Sequence, residues 1–409
     1  MKLLIISQYF WPESFRINEV ATSLKARGHV VEVMTGKPNY PEGRFFSGYI
    51  AWGIKKEFWR DIPIYRVPML ARGSCGAINL VLNYCSYSIS CLLIAPWLLR
   101  RRKYDVIFVY GVSPIFQAIP ASFLGWIKGV PVVLWVQDLW PQSAEATGYV
   151  KSPFLLKLLE KFVRFTYAHT DLLLVQSEAF IKHVSKLAPN LPIVYYPNSV
   201  ENEFYSPQVI SIPYIESLQS GFTILFAGNV GTAQAMETII AAAEKLQTYS
   251  EINIVILGSG SKSDWVAEQI VEKKLTNLHL GGRFPVETMP ILMRQASALL
   301  VTLTDQPIFE LTIPSKIQAY LAVGKPIVAC LNGEGARIVT EAEAGIAVKA
   351  EDSEGLAKAI VKLYQMPESE RKQMGVNGRA YFKLNFDETK LTTELIEYFK
   401  MLIRKKDNH

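Results

Sequence analysis

Three segments in the second half of the chain carry residue types that hold phosphate. FAGNVG (226–231) follows an apolar run of strand type and precedes a helical pattern. Gly228, Asn229 and Gly231 would therefore offer backbone N–H groups and a helix N-terminus to an anion. ILGSGS (256–261) is a second glycine turn at a strand end. Neither loop has the G-x-G-x-x-G spacing of a dinucleotide fingerprint. Each alone is more often plain turn chemistry than ligand binding, and the pair at two strand ends favours a nucleotide. The third segment, IPSKIQAYLAVGKPIVA (313–329), places Pro314 at a helix start with Ser315 and Lys316 in the first turn. A hydroxyl, an ammonium and free amides would converge there, a combination suited to a diphosphate. Taken by itself, Lys316 also reads as an ordinary surface lysine. The sequence has no Asp-x-Asp and no histidine cluster, and Cys75, Cys85, Cys91 and Cys330 have no zinc spacing, so no metal site is expected.

The elements that must position these residues alternate strand and helix twice over. KLLIIS, HVVEVMT, YDVIFVYG, PVVLWVQD, DLLLVQS and PIVYYPN are short apolar runs of the first series, with helical spacing between them. After the irregular, Pro- and Ser-containing stretch from Ser199 to Gly221, FTILFAG, INIVILGSG, LHLGGR, ALLVTL and KPIVACL form a second series. The fold class is α/β, with two doubly wound, Rossmann-like parallel sheets, each with a ligand crevice at the carboxyl ends of its strands. The expected division is a first domain at 1–200, a linker at 201–220, a second domain at 221–385, and a C-terminal helix at 386–409 to which no docking surface is assigned.

With 409 residues, half of them hydrophobic, the chain has material for two packed cores. Its net charge of +6 is uneven: up to Tyr205 there are 22 Lys plus Arg against 14 Asp plus Glu, and seven of the eight tryptophans also lie there. A basic, Trp-rich half suits an anionic membrane surface or a nucleic acid, or is simply a soluble basic domain. The stretch 73–99 contains no charge and is followed by RRRK (100–103). It reads as an apolar helix lying on a membrane with its basic cluster at the headgroups; a buried helix and a true span are the alternatives. MKLLIISQYF is too short an apolar run for a secretory signal, so a cytoplasmic location is expected.

SQYFWPES, GHxVxVMT, PNYPEG, QDLWPQS and PNSV in the first half, with ILFAGN, ILGSGS, LHLGGRF and PSKIQAYLAVGKPIVA in the second, resemble the family 4 retaining glycosyltransferases of GT-B fold. The branch they most resemble is the WbuB and WcaI-like one of bacterial surface polysaccharide synthesis. The resemblance runs over nearly the whole chain. It implies two Rossmann-like domains facing across a cleft, with the donor on the second and the acceptor on the first. The donor diphosphate would sit over Gly228, Asn229 and Gly231 and reach Ser315 and Lys316, and the base would meet Gly282, Arg283 and Phe284. Asp138 and Glu310 would face the sugar as catalytic residues. Trp11, Pro12, Glu13, Arg16, Asn39 and Tyr40 would form an acceptor or cleft loop.

The chain also departs from the family pattern. GNVGTAQA lacks the Arg and Lys that many members carry in the first donor-domain loop, which leaves Lys316 and Arg283 as the cations for the diphosphate. Where the second Glu of the Glu-x7-Glu pattern is expected, the chain has Gln318 and Ala319, so Gln318 would replace a ribose contact.

By the resemblance, the reaction is metal-free transfer with retention, of a sugar such as N-acetyl-L-fucosamine, from a nucleotide diphosphate, with UDP favoured over GDP. No cofactor is implied, since the nucleotide-sugar is a substrate. The acceptor would be an undecaprenyl-diphosphate-linked saccharide in O-antigen or other exopolysaccharide synthesis. The enzyme would be peripheral on the inner membrane face through 73–103, and nucleic acid is not an expected partner. Asp138 would orient the acceptor or stabilise positive charge, or else cap the helix after its strand. Two other readings keep the architecture: a nucleotide-sugar 2-epimerase, and a non-catalytic nucleotide-binding scaffold.

Overall fold

A computed structural model describes residues 1–73, 76–113, 115–146, 150, 152–200, 204 and 215–407. The chain forms two compact units, Met1–Pro197 with Glu388–His409, and Asn198–Asp387. Most of the expected linker lies outside the described residues.

In chain order the first unit holds β1 (Lys2–Ile6), α1 (Ile17–Ala26), β2 (Val30–Thr35), β3 (Lys55–Trp59), β4 (Ile62–Arg66), α2 (Ala77–Leu98), β5 (Val106–Gly111), α3 (Ala118–Lys128), β6 (Val132–Val136), α4 (Gln142–Ala146), α5 (Pro153–Ala168), β7 (Leu172–Val175), α6 (Glu178–Leu187) and β8 (Ile193–Tyr195). Its sheet runs β3-β4-β2-β1-β5-β6-β7-β8. All neighbours are parallel except β3 and β4. That antiparallel edge hairpin was not expected from the sequence. Its strand KKEFW is charged, and its two-residue turn, Arg60–Asp61, takes positive φ at both positions (47° and 54°) without a glycine or asparagine to signal it.

The second unit holds α7 (Glu216–Gln219), β9 (Phe222–Ala227), α8 (Met236–Leu246), β10 (Ile252–Leu257), α9 (Ser263–Glu272), β11 (Leu278–Gly282), α10 (Met289–Gln295), β12 (Ala298–Thr302), α11 (Pro307–Glu310), α12 (Ser315–Val323), β13 (Ile327–Cys330), α13 (Gly333–Glu341), β14 (Gly345–Val348), α14 (Ser353–Gln365) and α15 (Glu368–Asn385). Its parallel sheet has the order β11-β10-β9-β12-β13-β14, with the topological switch between β9 and β12. The final helix, α16 (Glu388–Asp407), belongs to the first unit. Leu391, Leu395, Ile396, Phe399 and Leu402 join that unit's core, where the rings of Phe399 and Phe108 lie 5.5 Å apart.

Helix α2 is apolar all round, yet it buries only one stripe. Asn83, Tyr87, Cys91 and Ala95, spaced four apart, are fully buried. Asn83 ties the helix to the sheet: its Oδ1 accepts from Gln8 Nε2 (2.8 Å) and its Nδ2 donates to Leu70 O (2.6 Å). Ile78, Leu93 and Trp97 on the other side are 76, 70 and 60% exposed. The reading of 73–99 as a wholly buried helix is therefore corrected: only 28% of the apolar window is buried.

Helix α12 is held at its end by α15. Arg379 donates to Val323 O through Nε (3.2 Å) and Nη2 (2.8 Å). Gly375 lets the two helices meet, since a Cβ there would stand 2.2 Å from Gly324 O. Gly375→Ala is expected to lower the unfolding free energy by about 1–3 kcal/mol through overpacking. Gly378→Ala, whose Cβ would meet its neighbours at 3.3 Å, should cost less. Urea denaturation of the two variants checks the order.

Candidate functional site

The carboxyl ends of β9, β10 and β11 are stitched side by side. Gly228 N donates to Leu257 O (2.8 Å), Gly258 N to Gly282 O (2.7 Å), and Val230 N to Ser259 O (3.0 Å). The two glycine turns of the sequence are thus one structure. A Cβ on Gly258 would lie 1.7 Å from Gly228 O, and one on Gly260 would lie 2.3 Å from Val230 O. The second turn is glycine-rich so that the first can rest on it, which is a different reason from the phosphate contact considered above.

Lys316 crosses to this loop from the first turn of α12. A Cβ on Gly228 would meet Lys316 Cε at 2.6 Å and Nζ at 3.3 Å, and Nζ sits 4.3 Å from the centre of the Phe226 ring. The side chain is half-buried. Among the described residues no carboxylate lies within ion-pair distance of it. Burial lowers its pKa to about 8, because an ammonium loses hydration there without gaining a counter-charge. Ser315 beside it is exposed at the helix start.

Tyr320, one turn further along α12, was not singled out from the sequence. Its hydroxyl accepts from Ala227 N (3.1 Å) and lies 3.1 Å from Leu300 O and 3.3 Å from Ala227 O. It thus pins the helix between β9 and β12. Gln234, in the GNVGTAQA loop, braces it: its Oε1 accepts from Asn229 Nδ2 (3.1 Å) and Gly231 N (3.2 Å).

The other expected donor residues are less gathered. Arg283 is exposed and Phe284 half-buried, just past Gly282. Glu310 is exposed on the connection from β12 to α12, its backbone resting against Gly333. Gln318 is wholly buried, and its Nε2 donates to Asn198 O (2.7 Å). In this structure it faces the interior of the unit rather than an open crevice.

In the first unit, Asp138 is not a helix cap. Both of its described hydrogen bonds fall on Oδ2, from Ser113 N and Ser113 Oγ (2.8 Å each). Ser113 Oγ in turn accepts from Trp140 Nε1 (3.2 Å). Burial raises the carboxyl pKa, and the two Ser113 bonds oppose the rise.

The expected acceptor-loop residues do come together. Glu13 Oε1 accepts from Asn39 N and Tyr40 N (2.8 Å each) and so clamps the loop at 7–14 to PNYPEG. Glu13 and Asn39 are buried, so they brace the loop rather than offer themselves to a ligand, and burial pushes the Glu13 carboxyl up to about 7. Trp11 stacks on Trp59 and its carbonyl accepts from Arg66; Pro12 follows in a cis bond. Arg16 precedes α1, and Tyr40 is exposed with the Arg72 guanidinium 5.0 Å from its ring centre.

Residues 14–199 match the family model "Glycosyl transferase 4-like domain", and residues 221–366 match "Glycosyl transferases group 1". The chain belongs to this glycosyltransferase family. The two matches together take in most of both units, and the architecture is GT-B. The chain is 24% identical over 340 residues to the putative colanic acid biosynthesis glycosyl transferase WcaI of Escherichia coli K12, covering 79% of this chain and 82% of that one. Its fold is similar to that of the E. coli trehalose-6-phosphate structure bound with UDP-2-fluoro glucose (TM-score 0.72, 15% identity, covering 98% of this chain and 99% of that one). It is also similar to Anabaena HepE in complex with UDP (TM-score 0.67, 14% identity, covering 98% and 100%).

The pH dependence of stability follows from Lys316. Its folded pKa lies below the unfolded value, so the unfolded glycosyltransferase binds the extra proton between about pH 8 and 10.5. Unfolding free energy of the native protein, measured against Lys316→Met, is expected to rise across that window, by on the order of 2 kcal/mol. Parallel curves for the two proteins would show the lysine to be fully hydrated.

Proposed function

We propose that this glycosyltransferase moves a sugar from a nucleoside diphosphate, UDP in preference to GDP, to a lipid-linked saccharide acceptor, with retention and without a metal. The observation that carries the reading is the half-buried Lys316 ammonium lying against Gly228 at the switch point of the second sheet, with no described counter-charge. A diphosphate would supply that charge, and the α12 amides and Ser315 would add donors. Arg283, past the neighbouring strand, is the second cation. The sugar assignment, N-acetyl-L-fucosamine, and a role in O-antigen, lipopolysaccharide or other surface polysaccharide synthesis rest on the sequence resemblance. Kinship with WcaI supports the polysaccharide setting. UDP and a UDP-sugar in the solved neighbours support the donor class.

In the reaction, the anomeric C–O bond breaks with its electron pair going to the diphosphate oxygen. The acceptor hydroxyl oxygen bonds to the same carbon from the same face, and its proton passes to the departing phosphate. Lys316 and the helix amides hold the charge that develops on that phosphate. Asp138, fixed by Ser113, would orient the acceptor hydroxyl or stabilise the positive charge on the sugar, and Glu310 would contact a sugar hydroxyl.

Support for a membrane-bound acceptor comes from α2. One stripe is packed on the sheet, while Ile78, Leu93 and Trp97 stand exposed, the last two at the helix end that leads into the exposed Arg100, Arg101 and Lys103. Apolar side chains beside a basic cluster suit the anionic cytoplasmic leaflet. The structural role of Asn83, Tyr87 and Cys91 disfavours a bilayer-spanning α2.

A thermal-shift screen of nucleotide-sugars tests the donor, because a ligand of the folded state raises the melting temperature. UDP-sugars should do so, and the effect should weaken as pH rises through about 8, where Lys316 loses its proton. Lys316→Ala is expected to lower turnover by 100-fold or more with the fold intact. Asp138→Asn should cut transfer while UDP affinity stays within about twofold. Replacing Leu93 and Trp97 by serine should move the protein from the membrane pellet to the supernatant; sedimentation unchanged by these substitutions would remove α2 from the membrane contact.

A further inference from the structure

A second lysine without a described counter-charge lies in the first unit, outside the set of residues assigned above to the donor. Lys37 stands two residues past the end of β2 and is only 3% exposed. Among the described residues nothing accepts a hydrogen bond from its Nζ, and no carboxylate lies within ion-pair distance of it. The charges around it come from the edge hairpin: Arg66 at the end of β4, and Lys55 and Glu57 on β3.

Glu57 is already committed. It pairs with Arg66 Nε, lies 3.4 Å from Lys55 Nζ, and accepts from Tyr49 Oη at 3.0 and 3.1 Å. Arg66 is wholly buried, donates to Gly36 O (2.9 Å), and places its guanidinium 5.1 Å from the Tyr49 ring centre. Lys55 Nζ sits 3.8 Å from the same ring centre. Three cations thus gather around Glu57, and Arg66 also faces the Glu13 carboxyl, which burial raises to about 7. The local excess is positive, at the carboxyl ends of β2 and β4, the edge where sheets of this kind take ligands.

An uncompensated ammonium costs folding free energy unless something pairs with it. Methionine would fill the same space without that cost. Burial and the two neighbouring cations lower the Lys37 pKa, and Glu57 opposes them.

We propose that Lys37, with Lys55 and Arg66, forms a phosphoryl-binding subsite in the first unit, and that it takes a doubly charged phosphate group of the acceptor. Lys37 and Lys55 would supply the two ammoniums, with the Arg66 guanidinium behind them held by Glu57, Gly36 O and Trp11 O, and lysine serves phosphate as a point charge. The assignment to the acceptor rests on the function proposed above; the phosphate chemistry of the cluster does not.

The test is calorimetry on the full chain saturated with UDP, titrated with inorganic pyrophosphate. Lys37→Met should weaken pyrophosphate at least tenfold, leave UDP affinity within twofold and raise the melting temperature of the ligand-free protein. Pyrophosphate affinity unchanged by Lys37→Met overturns the subsite. Should that variant fail to fold, Lys55→Ala decides: it removes a partly exposed side chain, and unchanged pyrophosphate affinity there overturns the subsite equally. Farnesyl diphosphate that competes with pyrophosphate assigns the site to a lipid-linked phosphate, whereas competition by inorganic phosphate alone assigns it to the free ion and overturns the acceptor assignment. If UDP fails to bind while pyrophosphate still depends on Lys37, the donor reading falls and the subsite stands.

Discussion

The second unit's site depends on one hydroxyl. Tyr320 Oη sits among the backbone groups of Ala227, at the end of β9, and Leu300, where β12 last pairs with β9, the two strands that flank the topological switch. Those strands diverge there, and the gap is where a ligand enters a doubly wound sheet. By filling the base of the gap with a satisfied polar group, Tyr320 fixes the rotation and depth of α12. Lys316, four residues earlier on the same helix, then has one place to lie, against Gly228. Arg379 and the close approach of α15 at Gly375 hold the other end of α12. Ring, guanidinium and glycine together turn a short helix into a rigid arm.

The two units handle lysine in the same way. Both Lys316 and Lys37 follow a strand-end glycine in space or in sequence, both have side chains packed into the protein, and neither has a described carboxylate partner. A protein selected for stability alone would pair or remove such groups. Their retention at the carboxyl edges of two separate sheets fits a chemistry in which phosphate is the recurring charge.

Much of this was legible in the chain itself. Every parallel strand named from an apolar run has its counterpart, because strands buried on both faces must be continuously hydrophobic. Helix α12 was readable from Pro314 and Gly324, which mark its start and stop. The site was readable only where residue type alone suffices, as for Lys316 and the loop glycines. Tyr320 and Ser113 were invisible because their roles come from partners distant in sequence, 93 residues away in the case of Tyr320 and Ala227. That Glu13 and Asn39 brace their loop was not legible, since polarity in a sequence does not distinguish a brace from a ligand contact. The β3–β4 hairpin escaped because an Arg-Asp turn carries no turn signature and a charged edge strand resembles a loop.

The placement of α16 bears on how the molecule is made. Five apolar side chains of that helix complete the hydrophobic interior of the first unit, yet they are synthesised only after the whole of the second unit. A nascent chain must therefore hold the first sheet together with an open face while some 190 intervening residues leave the ribosome. That face, lined by residues of α1 and the β5–β6 region, stays uncovered until the last helix of the chain has been made.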